Sequence, residues 1–180
     1  MSKDYNKWVN THIICQIPEL KLSCWGCCGR NFTNREDIEK QIKINTFEFK
    51  KILIPSSLRL LVFRDRFSEN CWDVSKSGLC SNLVKFNNGV HACPLHKDIN
   101  KIVPKNEFLQ ISKKDLRCDQ CDVNYKCETA IWFDLFSESQ KKEYVQWLSE
   151  QNFDHYEYSI GNVEGKIIRK FLDETGYKIE

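Results

Sequence analysis

Ten cysteines in a chain of 180 residues constrain this protein more than any other feature. Eight of them fall in three groups: Cys24, Cys27 and Cys28 in SCWGCCGR; Cys80 and Cys93 on either side of Asn87-Asn88-Gly89; and Cys118, Cys121 and Cys127 in RCDQCDVNYKC. A chain of this length buries roughly 70% of the surface its unfolded form exposes, so it has an apolar core to fold around without metal or disulfides. The cysteines therefore serve some purpose other than making the fold possible.

Compartment decides between disulfide bonding and metal binding. The opening segment MSKDYNKWVN carries charges and amides where a secretory signal has an uninterrupted apolar run, and no later run reaches membrane-spanning length. The expectation is a cytoplasmic protein with no membrane partner. In a reducing compartment, cysteines at ligand spacing read as metal-binding or catalytic rather than disulfide-bonded. Charge adds little: 27 Lys and Arg against 25 Asp and Glu leave a net of +2 and a pI near 8.0. A nucleic-acid footprint calls for a domain pI above about 9 and a clustered basic face. Lys50, Lys51, Arg59, Arg64 and Arg66, with Phe63 and Phe67 as stacking platforms, are the best basic-aromatic candidate. They read more simply as an amphipathic strand with a charged outer face.

Each cysteine group has spacing suited to metal. In Cys24-Trp25-Gly26-Cys27, a CxxC wraps a tight turn that lets two thiolates meet one ion, and glycine lets backbone amides approach the sulfurs. Cys28 is the extra residue. Neighbouring side chains of an extended backbone point opposite ways, so Cys27 and Cys28 serve different metals, or different edges of one cluster, more easily than one tetrahedral zinc. The Asn87-Asn88-Gly89 turn predicts a hairpin that brings Cys80 and Cys93 together. Cys93 and His96 have CxxH spacing, which makes His96 a further candidate ligand; His91 reads as a structural histidine. Cys118 and Cys121 form a second CxxC, and Cys127 follows as a third ligand or a member of a neighbouring site. The metal candidates are thus Cys24, Cys27, Cys28, Cys80, Cys93, Cys118, Cys121, Cys127 and His96. Eight thiols suffice for two four-ligand sites, and both an iron–sulfur cluster and zinc accept them. Cys15 and Cys71 fall outside any ligand spacing and read as small buried hydrophobes.

The chain has no repeat of fixed period and no low-complexity linker, which predicts a single domain over 1–180. The expected fold is α+β and mainly helical, with cysteine-rich loops around a metal centre over about 15–128, packed under C-terminal helices over about 129–180. Thr33 and Glu36 at capping-box spacing, followed by Ile38 and Ile42, predict a helix over about 34–44. Phe47 to Ile54 continues as a second short helix that Pro55 ends. The branched and aromatic run Leu58 to Phe67 predicts a strand. Ser137 and Gln140 at capping-box spacing predict a helix over about 138–151, with Tyr144, Trp147 and Leu148 on one face. A last helix is expected over about 162–175, with Ile167, Ile168, Phe171 and Leu172 inward and Gly176 at its stop.

These residues resemble the YkgJ-type cysteine-cluster family of zinc- or iron-chelating domains. Cys24-Trp25-Gly26-Cys27-Cys28 is similar to the second half of that family's opening CxxCGxCC, and Thr33-Asn34-Arg35-Glu36-Asp37-Ile38 to its helix entry. Cys80 and Ala92-Cys93-Pro94-Leu95-His96 resemble its two later cysteines, and Cys118 or Cys121 its last. The resemblance spans about residues 22–128 and implies metal binding far more than any reaction. One departure matters, because the family's first cysteine falls on Lys21 here. Either Cys15 substitutes from a distance or the site has one ligand fewer, with Cys118, Cys121 and Cys127 as a further source.

Two functions follow. One is a metal protein whose iron–sulfur or zinc centre does redox or substrate-activating work on an unidentified protein or small-molecule partner, with Arg30 either offsetting thiolate charge or binding an anionic substrate. The other is a zinc-stabilised interaction module without catalysis. There is no GxxxxGK[ST], GxGxxG or HExxH, so nucleotide hydrolysis and zincin-type proteolysis have no support.

Overall fold

A two-stranded hairpin, β1 (Gln16–Ile17) and β2 (Leu22–Ser23), begins the ordered elements of the computed structural model. The structure describes residues 15–17, 20–52, 56–67, 74–97, 99, 103, 114–118, 121–122 and 125–178. Half-helical content and two small antiparallel sheets make the fold mainly helical α+β. Two compact units divide the chain, one formed by Met1–Cys27 with Tyr125–Glu180 and the other by Cys28–Asn124.

In the first unit the β1–β2 hairpin is joined by four helices: α3 (Glu128–Leu135), α4 (Glu138–Glu150), α5 (His155–Val163) and α6 (Lys166–Thr175). The Ser137 capping box forms as expected: its side chain accepts the Gln140 N–H while the Gln140 side-chain oxygen accepts the Ser137 N–H at 2.8 Å. Asp154 and Glu157 form a second box at the head of α5. The helix expected over about 162–175 is α6, which begins at Lys166 and stops at Gly176, while residues 162 and 163 close α5. Gly165, at φ 66°, turns the chain between them in the left-handed region that favours glycine. The core is aromatic: Phe171, fully buried, meets the ring of Tyr144 edge-on at 5.0 Å between centroids and lies 5.5 Å from Trp147 and 5.7 Å from Phe136.

In the second unit, α1 (Arg35–Lys50) and α2 (Ser57–Asp65) accompany the hairpin β3 (Val84–Lys85) and β4 (His91–Ala92). Helix α1 runs on through Phe47, so there is no separate helix from that residue, and it is capped by Asn34, whose side chain accepts the Asp37 N–H, rather than by Thr33. It buries Ile38, Ile42, Asn45 and Phe49 and packs on β3. The segment expected as a strand from Leu58 is α2. Ser56 caps it and Leu60 and Phe63, one helical turn apart, point inward. Its leucines and arginines are good helix formers and Val62 alone is β-branched, so the cap and the helical spacing prevail. The Asn87-Asn88-Gly89 hairpin forms, with Val84 opposite Ala92 and Gly89 at φ 87°. Pro55 and Cys71 lie outside the described residues.

Two outcomes test this packing. Phe171→Ala removes the ring on which Phe136, Tyr144, Trp147 and Tyr177 converge and should destabilise the protein by roughly 3–5 kcal/mol in denaturant unfolding. Burial holds the phenols of Tyr144 and Tyr158 well above the ordinary range near 10, with nearby thiols adding to it. The unfolded chain ionises these groups near pH 10 and the native one does not. The stability they carry is therefore whole below that pH and lost as pH rises above it. An ultraviolet titration should show both phenols ionising only in step with unfolding.

Candidate metal centre

The β1–β2 hairpin does more than start the fold. Its register pairs Gln16 with Ser23, and one step outward the Cys24 N–H donates to the Cys15 carbonyl at 2.7 Å, which sets two cysteines opposite each other. Lys21, where the resemblance called for cysteine, is the exposed left-handed residue of the turn, at φ 54°. Helix α5 fixes the hairpin's outgoing strand on either side of Cys24. The Ser23 N–H donates to His155 Nδ1 at 3.1 Å, and the Trp25 N–H donates to the Ser159 hydroxyl at 3.0 Å. Trp25 is 1% exposed and packs near Tyr156, so it serves the core.

Gly26 is set by close approach. A Cβ there would stand 2.1 Å from Val163 Cγ2 and 2.8 Å from the Ser159 carbonyl oxygen, so only glycine lets the CxxC turn lie this tightly on α5. Its N–H donates to the Cys24 sulfur at 3.5 Å.

Four thiols of this unit lie in one another's fields: Cys15, Cys24, Cys27 and Cys127. A hydrogen bond with Cys27 is the largest influence holding the Cys15 thiol well above its usual range; burial and the charges of Cys24, Cys27 and Cys127 add to it. Burial pushes Cys24 up to about 12, with Cys27 and Cys127 adding and the Gly26 N–H opposing. Cys127 is the N-cap residue of α3. No capping hydrogen bond to its sulfur forms, yet the N–H dipoles of Ala130 and Thr129 lie close enough to offset part of the rise that burial causes. Half-exposed Tyr125 stands beside the group, its phenol raised by burial and then by Cys127, Cys27 and Cys24.

Two buried polar groups adjoin the same sulfurs without partners of their own. Asn162 is 1% exposed and neither its Nδ2 nor its Oδ1 has a hydrogen-bond partner, although its amide lies near enough to Cys24 to lower that thiol. The hydroxyl of fully buried Tyr144 is likewise unpartnered, and Cys127 and Cys24 act on it.

The second unit holds Cys28, Cys80, Cys93, Cys118 and Cys121. The Cys28 carbonyl accepts the Cys80 N–H at 2.7 Å, and Gly29 bridges to Leu79, where a Cβ would meet the Gly78 carbonyl oxygen at 2.2 Å. The Cys80 sulfur accepts the Asn82 N–H at 3.5 Å. Two residues hold this loop. Fully buried Asn45 donates from Nδ2 to the Cys80 and Leu83 carbonyls at 3.2 and 3.0 Å, and Arg66 donates to the Ser81 carbonyl and to Asn82 Oδ1. Burial lowers Arg66 to about 10, while Glu48 and the Cys80 thiolate counter it. Burial likewise pushes Cys93 far up; Cys80 and Cys121 add to the rise, and the Leu95 N–H and Arg117 oppose it. Arg117 is itself held by Asp115 through an ion pair at 2.5 Å. The Cys118 carbonyl accepts the Cys121 N–H at 2.9 Å, and the His96 N–H donates to the Cys93 carbonyl at 3.2 Å. His91 is buried on β4.

The expected ligands are thus divided. Cys24 and Cys27 keep company with Cys127 and with Cys15, which ligand spacing had left out, and the unit boundary falls between Cys27 and Cys28. Among the described residues no three Cys, His, Asp or Glu side chains already stand in position to hold an ion. None of the nine described cysteines forms a disulfide. Asn45, His155, Ser159 and Asn162 have no signature as site residues in the sequence, because nothing in spacing marks a polar side chain that serves a distant loop. Two members of the basic-aromatic candidate are turned to the interior: Phe63 is 3% exposed, and Arg66 stacks on it at 3.7 Å. Compared with known proteins, the chain matches no family model, no curated sequence and no solved structure.

None of the largest influences on Cys15, Cys24 or Cys127 is a positive side chain, so a bound metal would supply the charge that lets these thiols ionise. Gly26→Ala should destabilise the protein by roughly 1–3 kcal/mol through the clash with α5. Adding Val163→Ala should recover part of that loss in thermal unfolding, because the Ser159 carbonyl contact remains.

Proposed function

We propose that this chain is a metal-binding protein whose cysteines hold zinc or an iron–sulfur centre. One observation carries the reading: segments far apart in sequence bring Cys15, Cys24, Cys27 and Cys127 into mutual electrostatic reach. Cysteine used as a small hydrophobe has no need of such company. Nor does it need amide donors, yet Cys24 and Cys80 each accept an N–H from the residue two positions on, the kind of bond that stabilises a metal thiolate. Residues Cys28, Cys80, Cys93, Cys118 and Cys121, with His96, are the candidate ligands of the second unit.

An iron–sulfur centre would give redox or substrate-activating chemistry. The second reading is a zinc-stabilised interaction module, for which the pairing of Cys15 with Cys24 across the β1–β2 hairpin supplies a candidate ligand pair. A reducing, cytoplasmic setting belongs to the same proposal, because an oxidising one would consume these thiols. Among the described residues no helix is long and apolar enough to cross a membrane. Kinship with YkgJ-type domains rests on the quoted cysteine motifs alone.

Protein purified without oxygen should carry zinc, or iron with acid-labile sulfide, in near-stoichiometric amount. Iron with sulfide and visible absorption would eliminate the zinc module. Colourless protein holding zinc would eliminate the iron–sulfur centre. Folded, metal-free protein that takes up neither would overturn both.

A further inference from the structure

We propose that Cys28 and Cys80 are a redox-active dithiol, closed to a disulfide across two paired backbone segments by exchange with a low-molecular-weight disulfide such as oxidised glutathione. This stands on backbone geometry and goes beyond the metal-binding reading above, because it gives two candidate ligands of the second unit a chemistry that needs no metal.

The segment from Cys28 to Arg30 runs antiparallel to that from Gly78 to Cys80. The Cys80 N–H donates to the Cys28 carbonyl at 2.7 Å, the Arg30 N–H donates to the Gly78 carbonyl at 2.9 Å, and Gly29 is bridged to Leu79 between them. That register sets Cys28 opposite Cys80, and opposed residues of an antiparallel pair project to the same side. Two glycines admit so close an approach. A Cβ on Gly29 would stand 2.2 Å from the Gly78 carbonyl oxygen, and one on Gly78 would stand 2.5 Å from that of Arg30. Opposed residues of a hydrogen-bonded pair have Cα atoms about 5.5 Å apart, inside the range of roughly 4.4–6.8 Å that a disulfide spans.

The two thiols differ in access, which divides their roles. Cys28 is half-buried and can meet an oxidant; Cys80 is buried and need only reach the sulfur opposite it. Cys80 is also firmly placed. Asn45 Nδ2 donates to its carbonyl at 3.2 Å, the Asn82 N–H donates to its sulfur at 3.5 Å, and Arg66 donates to the Ser81 carbonyl of the same loop. An N–H donor and a neighbouring guanidinium stabilise the thiolate that leaves when a disulfide is reduced. Cys15 and Cys24 face each other in a similar way, but none of the largest influences on either is a positive side chain.

The exchange runs in two steps. The Cys28 thiolate attacks one sulfur of oxidised glutathione, forms a mixed disulfide and expels one glutathione thiolate. The Cys80 thiolate then attacks the Cys28 sulfur, forms the Cys28–Cys80 bond and expels the second. The two cysteine protons end on the two glutathiones, so two protein thiols lose two electrons and one glutathione disulfide gains them. Excess reduced glutathione reverses both steps. Cβ atoms of opposed residues lie about 4.5–5.5 Å apart and those of a disulfide about 3.5–4.5 Å, so closure draws the segments together against the Gly29 and Gly78 contacts. A bond closed under that strain is readily reduced, which suits a reversible site rather than a structural cross-link.

The test equilibrates the full chain, purified without oxygen, with oxidised glutathione, blocks the remaining thiols by alkylation and maps linked peptides by mass spectrometry. A Cys28–Cys80 link that excess reduced glutathione removes is the expected result. Cys80→Ser should stop at the first step, with one glutathione on Cys28. Cys28→Ser should neither cross-link nor take glutathione at Cys80. The proposal is overturned if both cysteines of the wild-type chain stay open to alkylation, if Cys28 is linked to Cys27 or to another cysteine instead, if Cys80→Ser captures no glutathione, or if Cys28→Ser captures it on Cys80. Mapping of the wild type needs no variant, so it decides the matter even where a serine variant fails to fold. Zinc and iron counted in the same samples report on the metal-binding reading separately. A chain that holds metal yet never links Cys28 to Cys80 sinks this proposal alone; a metal-free chain that links them leaves it standing while the metal reading falls.

Discussion

Burial of ionisable sulfur is the constraint around which the first unit is built. Desolvation and the charge of neighbouring thiols make Cys15, Cys24 and Cys127 harder to ionise, with a hydrogen bond to exposed Cys27 the largest influence on Cys15. Packing alone gives no reason to accept that. The surrounding geometry nonetheless serves it: a hairpin whose register sets Cys15 against Cys24, a glycine admitted only because α5 passes so close, and a helix that begins on Cys127. The aromatic core of Phe136, Tyr144, Trp147 and Phe171 supplies the dry wall behind them.

The second unit meets a similar demand by different means. Its thiols have cations near them: Arg66 lies in the field of Cys80, and Arg117 in that of Cys93 and Cys121. Both guanidiniums are fixed in turn. Arg66 spends its donors on loop carbonyls and lies over Phe63, while Arg117 is gripped by Asp115. A buried amide, Asn45, ties the Cys80 loop to α1 by donating to the Cys80 and Leu83 carbonyls. Thiols with fixed positive neighbours carry negative charge more easily, whereas none of the largest influences on Cys15, Cys24 or Cys127 is a positive side chain.

Local signals were legible where the chemistry is local. The Ser137 capping box, the Asn87-Asn88-Gly89 turn and the helix through Ile38 and Ile42 each depend on residues within four positions of one another, and each formed. Sequence and structure part where local cues compete. Thr33 and Asn34 are both good caps, and the choice went to the residue whose side chain reaches the Asp37 N–H. Leu58 to Phe67 is apolar enough for either state, and burial of Leu60 with Phe63 on one side selected the helix. Near residue 162 the helical pattern was real, but Gly165 divides it, and one glycine in a periodic stretch does not announce whether it bends the chain or merely weakens it.

The sequence by itself determined that cysteine is abundant and grouped in this chain and that a glycine, Gly26, sits inside its first CxxC, and it led to the expectation that Cys27 and Cys28 diverge. Only the tertiary structure decided the company each cysteine keeps. Cys15 stands nine residues before Cys24, a spacing that matches no ligand motif, yet an antiparallel register makes them neighbours; Cys127 follows Cys121 closely along the chain and belongs to the other unit. Spacing encodes which ligands a single turn can bring together. Which turns then meet depends on strand register, helix packing and the few buried polar residues that hold loops in place, and those are properties of the folded chain.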